Sequence, residues 1–111
     1  MTINEYQQLA LRTINPELSP KEQLLNGLMG LCGESGEAID IMKKHLAQKH
    51  DLDKEHLANE LGDVAWYLAV ASYFLGCDLE TIMDKNIEKL RKRYPVRFEA
   101  DLSINRAEDD I

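Results

Sequence analysis

Two stretches decide the fold, Gly30-Leu31-Cys32-Gly33-Glu34-Ser35-Gly36-Glu37 and Glu60-Leu61-Gly62-Asp63-Val64-Ala65-Trp66-Tyr67-Leu68. Each sets two carboxylates three residues apart in a run that is otherwise apolar or small. On a helix that spacing puts both acids on one face, with Cβ atoms roughly 5–6 Å apart. The same-face neighbours are Gly30, Leu31, Ala38 and Ile41 around Glu34, and Trp66, Tyr67 and Val70 around Asp63, so the acids point into or beside an apolar stripe. If the two helices lie side by side, four carboxylates converge. Two charges about 5 Å apart repel by roughly 3 kcal/mol at an effective dielectric of about 20. Such a cluster needs protons or a cation. An all-oxygen donor set without histidine or thiolate suits a hard divalent ion, Mg²⁺ or Mn²⁺.

Working outward, the apolar positions on either side keep a helical period. Thr2-Ile3-Asn4-Glu5 reads as a capping box opening a short helix that stops at Asn15-Pro16. Ser19-Pro20-Lys21-Glu22 opens a second, with an N-cap serine, proline at the first helical position and a capping glutamate. Leu24, Leu28, Leu31, Ile39, Met42 and Leu46 carry its apolar period, interrupted by Gly27, Gly30, Gly33 and Gly36. Glycine there permits either a close approach of a neighbouring backbone or room for a ligand beside Glu34 and Glu37. Asp51 or Asp53 caps a third helix, apolar nearly all round from Val64 and ended by Gly76. A fourth runs from Asp78-Leu79-Glu80 to Tyr94-Pro95 on a stripe of Leu79, Ile82, Met83, Ile87 and Leu90. Residues 96–111 read as an extended tail. No strand-like alternation appears, so the expected fold is all-α, a four-helix bundle with a cation site built from acids on facing helices.

Composition narrows the chemistry. A length of 111 residues suits one domain. The net charge of −7 argues against a nucleic-acid polymer as partner but not against a nucleotide whose charge a cation offsets. The longest apolar run, Val64 to Leu75, has twelve residues including Ser72, too few to span a bilayer, and a cytoplasmic protein is expected. Cys32 and Cys77 read as reduced, buried small hydrophobes, and His45, His50 and His56 as solvated surface residues. Asn86, Lys89 and Arg93 share a face of the fourth helix, where spacing alone is satisfied by complementing the helix dipole. A di-iron carboxylate centre would call for Glu-x-x-His motifs, and a P-loop for GxxxxGK[ST]; neither is present.

Three motifs in order, Gly30-Leu31-x-Gly33-Glu34-x-Gly36-Glu37, Glu60-Leu61-Gly62-Asp63-Val64 with Trp66-Tyr67-Leu68, and Asn86-x-x-Lys89-Leu90-x-x-Arg93-Tyr94-Pro95, resemble the MazG-like all-α nucleoside triphosphate pyrophosphohydrolases in their single-domain form. The resemblance covers about residues 24–106. It implies cleavage of a nucleoside triphosphate between the α and β phosphates, giving monophosphate and pyrophosphate. It further implies Glu34, Glu37, Glu60 and Asp63 as Mg²⁺ ligands, Glu37 as candidate general base, and Asn86, Lys89 and Arg93 as phosphate contacts. Tyr67 and Lys44 are implied as further substrate contacts, and a homodimer or dimer of dimers as the assembly. Alternatives to this reading are a silent metal- or nucleotide-binding scaffold and a specialised substrate such as phosphoribosyl-ATP.

Overall fold

The computed structural model describes residues 1–111 as five helices without a strand: α1 (Ile3–Leu11), α2 (Pro20–Gln48), α3 (Lys54–Leu75), α4 (Leu79–Arg93) and α5 (Ala100–Ile104). Capping explains where they begin. The Glu5 amide donates to Thr2 Oγ1 at 3.1 Å and the Thr2 amide to Glu5 Oε2 at 3.0 Å. Ser19 and Glu22 repeat the exchange at the start of α2, and the Ser19 donors hold the Glu22 carboxyl below its ordinary range. Asp53, rather than Asp51, caps α3 by accepting from the His56 amide. Gly76 ends α3 at φ 93°, a left-handed conformation that glycine adopts without a Cβ penalty. The first helix ends earlier than Asn15-Pro16 requires, at Leu11, and the chain leaves through a turn in which Thr13 donates its hydroxyl to the Ala10 carbonyl.

Two compact units result, Met1–Leu79 and Glu80–Ile111. In the first, α3 packs against both α2 and α1. The α2–α3 approach is close because two glycines allow it. A Cβ on Gly27 would lie 3.0 Å from the Ala71 Cβ and 3.2 Å from its backbone, and one on Gly30 would lie within 2.1 Å of the Tyr67 ring. Gly33 and Gly36 face open space. The four glycines therefore divide, Gly27 and Gly30 serving helix contact and Gly33 and Gly36 leaving room.

The core of this unit is Ala10, Ala69, Val70 and Leu79, with Tyr6, Ile14, Trp66, Leu68 and Phe74 packed on it. Gln7 is buried within it and fully paired: Nε2 donates to the Ala69 carbonyl at 3.0 Å and the Cys77 carbonyl at 3.4 Å, and Oε1 accepts from the Leu79 amide at 3.2 Å. One side chain thus ties α1 to the body of α3 and to the turn that follows it. Trp66 joins the core with its indole N–H satisfied by Thr13 Oγ1.

The apolar stripes are only partly internal. Leu28, Ile39 and Leu46 on α2, Leu61 and Leu75 on α3, and Met83 and Ile87 on α4 are exposed, as is Cys32. A helix with two apolar flanks buries only the one that meets a neighbour, and within one chain α2 meets only α3 closely.

In the second unit α4 is followed by Tyr94 and Phe98, whose rings lie 5.2 Å apart, and by α5. Residues 96–111 are therefore not simply extended. Asp101 in the first turn of α5 favours its dipole, and the Leu102 and Ser103 amides close onto the Glu99 carbonyl.

The contrast between glycines is testable by thermal denaturation. Gly30→Ala overpacks against Tyr67 and should lower stability by about 1–3 kcal/mol. Gly33→Ala meets nothing and should raise it by up to about 1 kcal/mol through helix propensity. Equal effects would show that α2 and α3 do not meet at Gly30.

Candidate metal centre

Because Gly27 and Gly30 bring α2 and α3 together, the helical turns that follow on α2 face the turns that precede on α3. Glu34 and Glu37 come from α2 and Glu60 from α3, and one carboxylate oxygen of each lies within 4.8 Å of the others. Glu60 is buried, Glu34 half-buried and Glu37 exposed. At that separation each pair of charges repels by roughly 3 kcal/mol at an effective dielectric of about 20. Asp63 lies outside the tight group, one turn beyond Glu60. Its charge nevertheless contributes to raising Glu34 and, after burial, to raising the Tyr6 hydroxyl on α1.

With the acids ionised, Glu34 Oε2 and Glu60 Oε2 are buried and have no hydrogen-bond partner. Buried polar atoms are nearly always paired, so two orphan oxygens within one acidic cluster call for a proton or a cation. Within the chain the relief is a proton. Contact with Glu60, then burial, then the charges of Glu37, Glu60 and Asp63 push Glu34 up to about 7. Glu60 is held below its ordinary range, first by the proton that Glu34 presents to it and further by Glu37 and His56. A divalent cation satisfies both orphan oxygens at once and suits an all-carboxylate set, so the residues present fit Mg²⁺ or Mn²⁺.

A cleft of about 410 Å³ opens beside the acids, lined by Gly33, Gly36, Glu37, Asp40, Ile41, Lys44, His56 and Glu60. Lys44 stands in its wall, but its ammonium is engaged by Asp40 at 2.9 Å, and this hydrogen bond with the Lys44 and Lys43 charges holds Asp40 below its ordinary range. Tyr67 is not in that wall; its ring fills the space over Gly30 and stands edge-on to Trp66 at 5.0 Å. Asn86, Lys89 and Arg93 belong to the second unit, on α4.

One residue of the cleft was overlooked in the sequence. His56, expected to be a solvated surface group, is exposed but directed at the site, with Nε2 3.1 Å from Glu60 Oε1. Its signal was the four-residue step to Glu60 on one helix face. Such a contact orients a carboxylate ligand and raises the order of the site.

The chain's relationships agree with this geometry. The MazG nucleotide pyrophosphohydrolase domain family matches residues 22–98, which include every acid of the cluster and the α4 motif. The chain belongs to the MazG nucleotide pyrophosphohydrolase family. Among curated proteins, "Gene 37 protein" of Mycobacterium phage L5 is 39% identical over 69 residues, spanning 59% of this chain and 60% of that protein. The chain thus covers less than two thirds of that relative, whose name states no activity. No solved structure gives a significant match. No helix is long and apolar enough to cross a membrane.

The shared proton has a consequence for stability. Glu34 in the folded protein sits near 7, above its ordinary 4.5, so its contribution is complete below about pH 4.5 and is lost as pH rises through about 7. Metal-free protein should therefore melt at progressively lower temperature between pH 5 and 8. Saturating Mg²⁺ or Mn²⁺ should offset that fall, because cation and proton compete for the same oxygens. Glu34→Gln should abolish both the pH slope and the metal effect. A melting temperature in the wild type that ignores pH and metal alike would remove the site.

Proposed function

We propose that this MazG-family chain is a Mg²⁺-dependent nucleoside triphosphate pyrophosphohydrolase, also active with Mn²⁺, that cleaves ribo- or deoxyribonucleoside triphosphates to monophosphate and pyrophosphate. The observation that carries this reading is the pair of buried, unpartnered oxygens on Glu34 and Glu60 inside a three-carboxylate cluster, in the region that matches the family. Glu34, Glu37 and Glu60 would hold the cation, with Asp63 as a fourth ligand. Bound there, a divalent ion neutralises phosphate oxygens and makes a water acidic enough to attack phosphorus near neutral pH.

The chain's own residues supply the rest. His56 fixes the orientation of the Glu60 carboxylate. Glu37, the exposed member of the cluster and part of the cleft wall, is the candidate base that takes the proton of the attacking water. Lys44 can leave Asp40 for a phosphate oxygen at small cost, since an exposed ion pair contributes only about 0–1 kcal/mol. Asn86, Lys89 and Arg93, on one face of α4, grip phosphates, arginine through its two-pronged fork. Tyr67, whose ring lies over Gly30 at the helix crossing, is a further substrate contact in this reading.

The deciding experiment incubates the protein with Mg²⁺ and each common ribo- and deoxyribonucleoside triphosphate and separates the products. Monophosphate and pyrophosphate are expected, with Glu37→Gln slowing turnover by about 10²–10⁴-fold. Diphosphate and phosphate would mean a different scissile bond. No turnover of any nucleotide, with metal bound, would favour a silent scaffold or a specialised substrate such as phosphoribosyl-ATP.

The assembly we propose is a homodimer or a dimer of dimers. Leu25, Leu28, Met29 and Cys32 recur at helical spacing along the solvent side of α2, and after Ser35 and Gly36 Ile39 resumes the line, an apolar stripe suited to a second copy of itself. Sedimentation should give an oligomer, and Leu28→Lys with Met29→Glu should shift it to monomer. A wild-type monomer at micromolar concentration would overturn this.

A further inference from the structure

The second unit contains a cavity of about 600 Å³ between α4 and the segment that follows α5. Inside it the Arg93 guanidinium holds the Asp110 carboxylate by two parallel bonds, Nε to Oδ2 and Nη2 to Oδ1, both 2.8 Å. The side chains are only 10% and 13% exposed, which separates this pair from the exposed ion pairs of α2 and α4. Lys89 and Arg106 also line the cavity, and the hydrogen bonds from Arg93, followed by the charges of Arg93, Arg106 and Lys89, hold Asp110 below its ordinary range. Two of the three residues assigned to phosphates thus already serve an anion, and that anion belongs to the protein.

Nothing else secures the segment strongly. Ile104 and Ile111 are 77% and 90% exposed, and Ala107, Glu108 and Asp109 are exposed as well. The other hydrogen bonds are local, from the Asn105 amide to the Asp101 carbonyl, from the Asp110 amide to the Ala107 carbonyl and from Arg106 Nε to the Ser103 carbonyl. A segment with so little apolar burial opens at low free energy apart from its ion pair. The two-pronged geometry that Arg93 offers a carboxylate is also the one that guanidinium offers two oxygens of a phosphate.

We infer that Asp110 is an internal, displaceable occupant of a phosphate subsite formed by Lys89, Arg93 and Arg106, so that nucleotide or pyrophosphate binds by expelling the C-terminal segment. This rests on the proposed role of Lys89 and Arg93 as phosphate contacts, and it adds Arg106 to them and a self-inhibiting carboxylate against them. The apparent affinity for phosphates is then reduced by the fraction of molecules in which the segment is docked.

The test measures binding of inorganic pyrophosphate and of a non-hydrolysable α,β-methylene triphosphate, both with Mg²⁺, to wild type, Asp110→Asn, Arg93→Gln and the double variant. Asp110→Asn should tighten binding on the order of tenfold, Arg93→Gln should weaken it, and Asp110→Asn should add nothing in the Arg93→Gln background. If Arg93→Gln weakens binding while Asp110→Asn leaves it unchanged or weaker, the ion pair is only a structural tie and the phosphate role of Arg93 stands. If neither variant changes binding, the phosphate role of Arg93 itself fails. Arg93→Lys, which keeps the charge but loses the fork, replaces Arg93→Gln if the latter does not fold. Hydrogen exchange at residues 105–111 gives an independent reading: pyrophosphate should accelerate it in the wild type, and protection instead would overturn the inference.

Discussion

The close approach of α2 and α3 is the constraint on which the rest of the first unit depends. A helix pair with ordinary side chains at the crossing is held 8–10 Å apart by them. With Gly27 against Ala71 and Gly30 beneath the Tyr67 ring, the backbones come nearer, and the acids one turn further along are pressed into one another's fields. The glycines cost helix propensity, and the packing they permit offsets that loss. Gln7 secures the arrangement from the other side of α3, with every polar atom of its amide used.

What the approach creates is an electrostatic problem with two solutions. One is a proton lodged between Glu34 and Glu60; the other is a divalent cation in the same place. Near neutral pH the proton is lost readily, because Glu34 is raised to about 7. A cation binding there would have to replace that proton, so its affinity would depend on pH as well as on ligand geometry. His56 belongs to this balance, since its ring holds the Glu60 carboxylate that either solution uses.

The second unit solves a different problem. Its cations on α4 complement the helix C-terminus, as spacing alone suggests, and Arg91 is taken by Glu88. Arg93 is withdrawn from water, where an unpaired guanidinium would be costly, and an acid some way along the chain pairs with it. A buried cation that needs an anion and a tail whose main tie is one carboxylate together make an exchangeable contact.

Much of the fold was legible in the residues themselves, because it rests on local rules. Capping boxes at Thr2 and Ser19, the left-handed stop at Gly76 and the helical period of the apolar positions each act within a few residues, and the spacing of the paired acids pointed to a carboxylate cluster, of which Glu34, Glu37 and Glu60 come together. Local rules do not say which flank of an amphipathic helix finds a neighbour, so the exposure of Leu28, Ile39 and Cys32 emerged only when the helices were packed. Packing likewise sorted the glycines, set Tyr67 at the helix crossing, engaged Lys44 with Asp40 and aimed His56 at Glu60. The pairing of Arg93 with Asp110 spans 17 residues and leaves no periodic trace. Periodicity encodes neighbours along a helix, whereas contacts between elements depend on a crossing geometry that the tertiary structure alone decides.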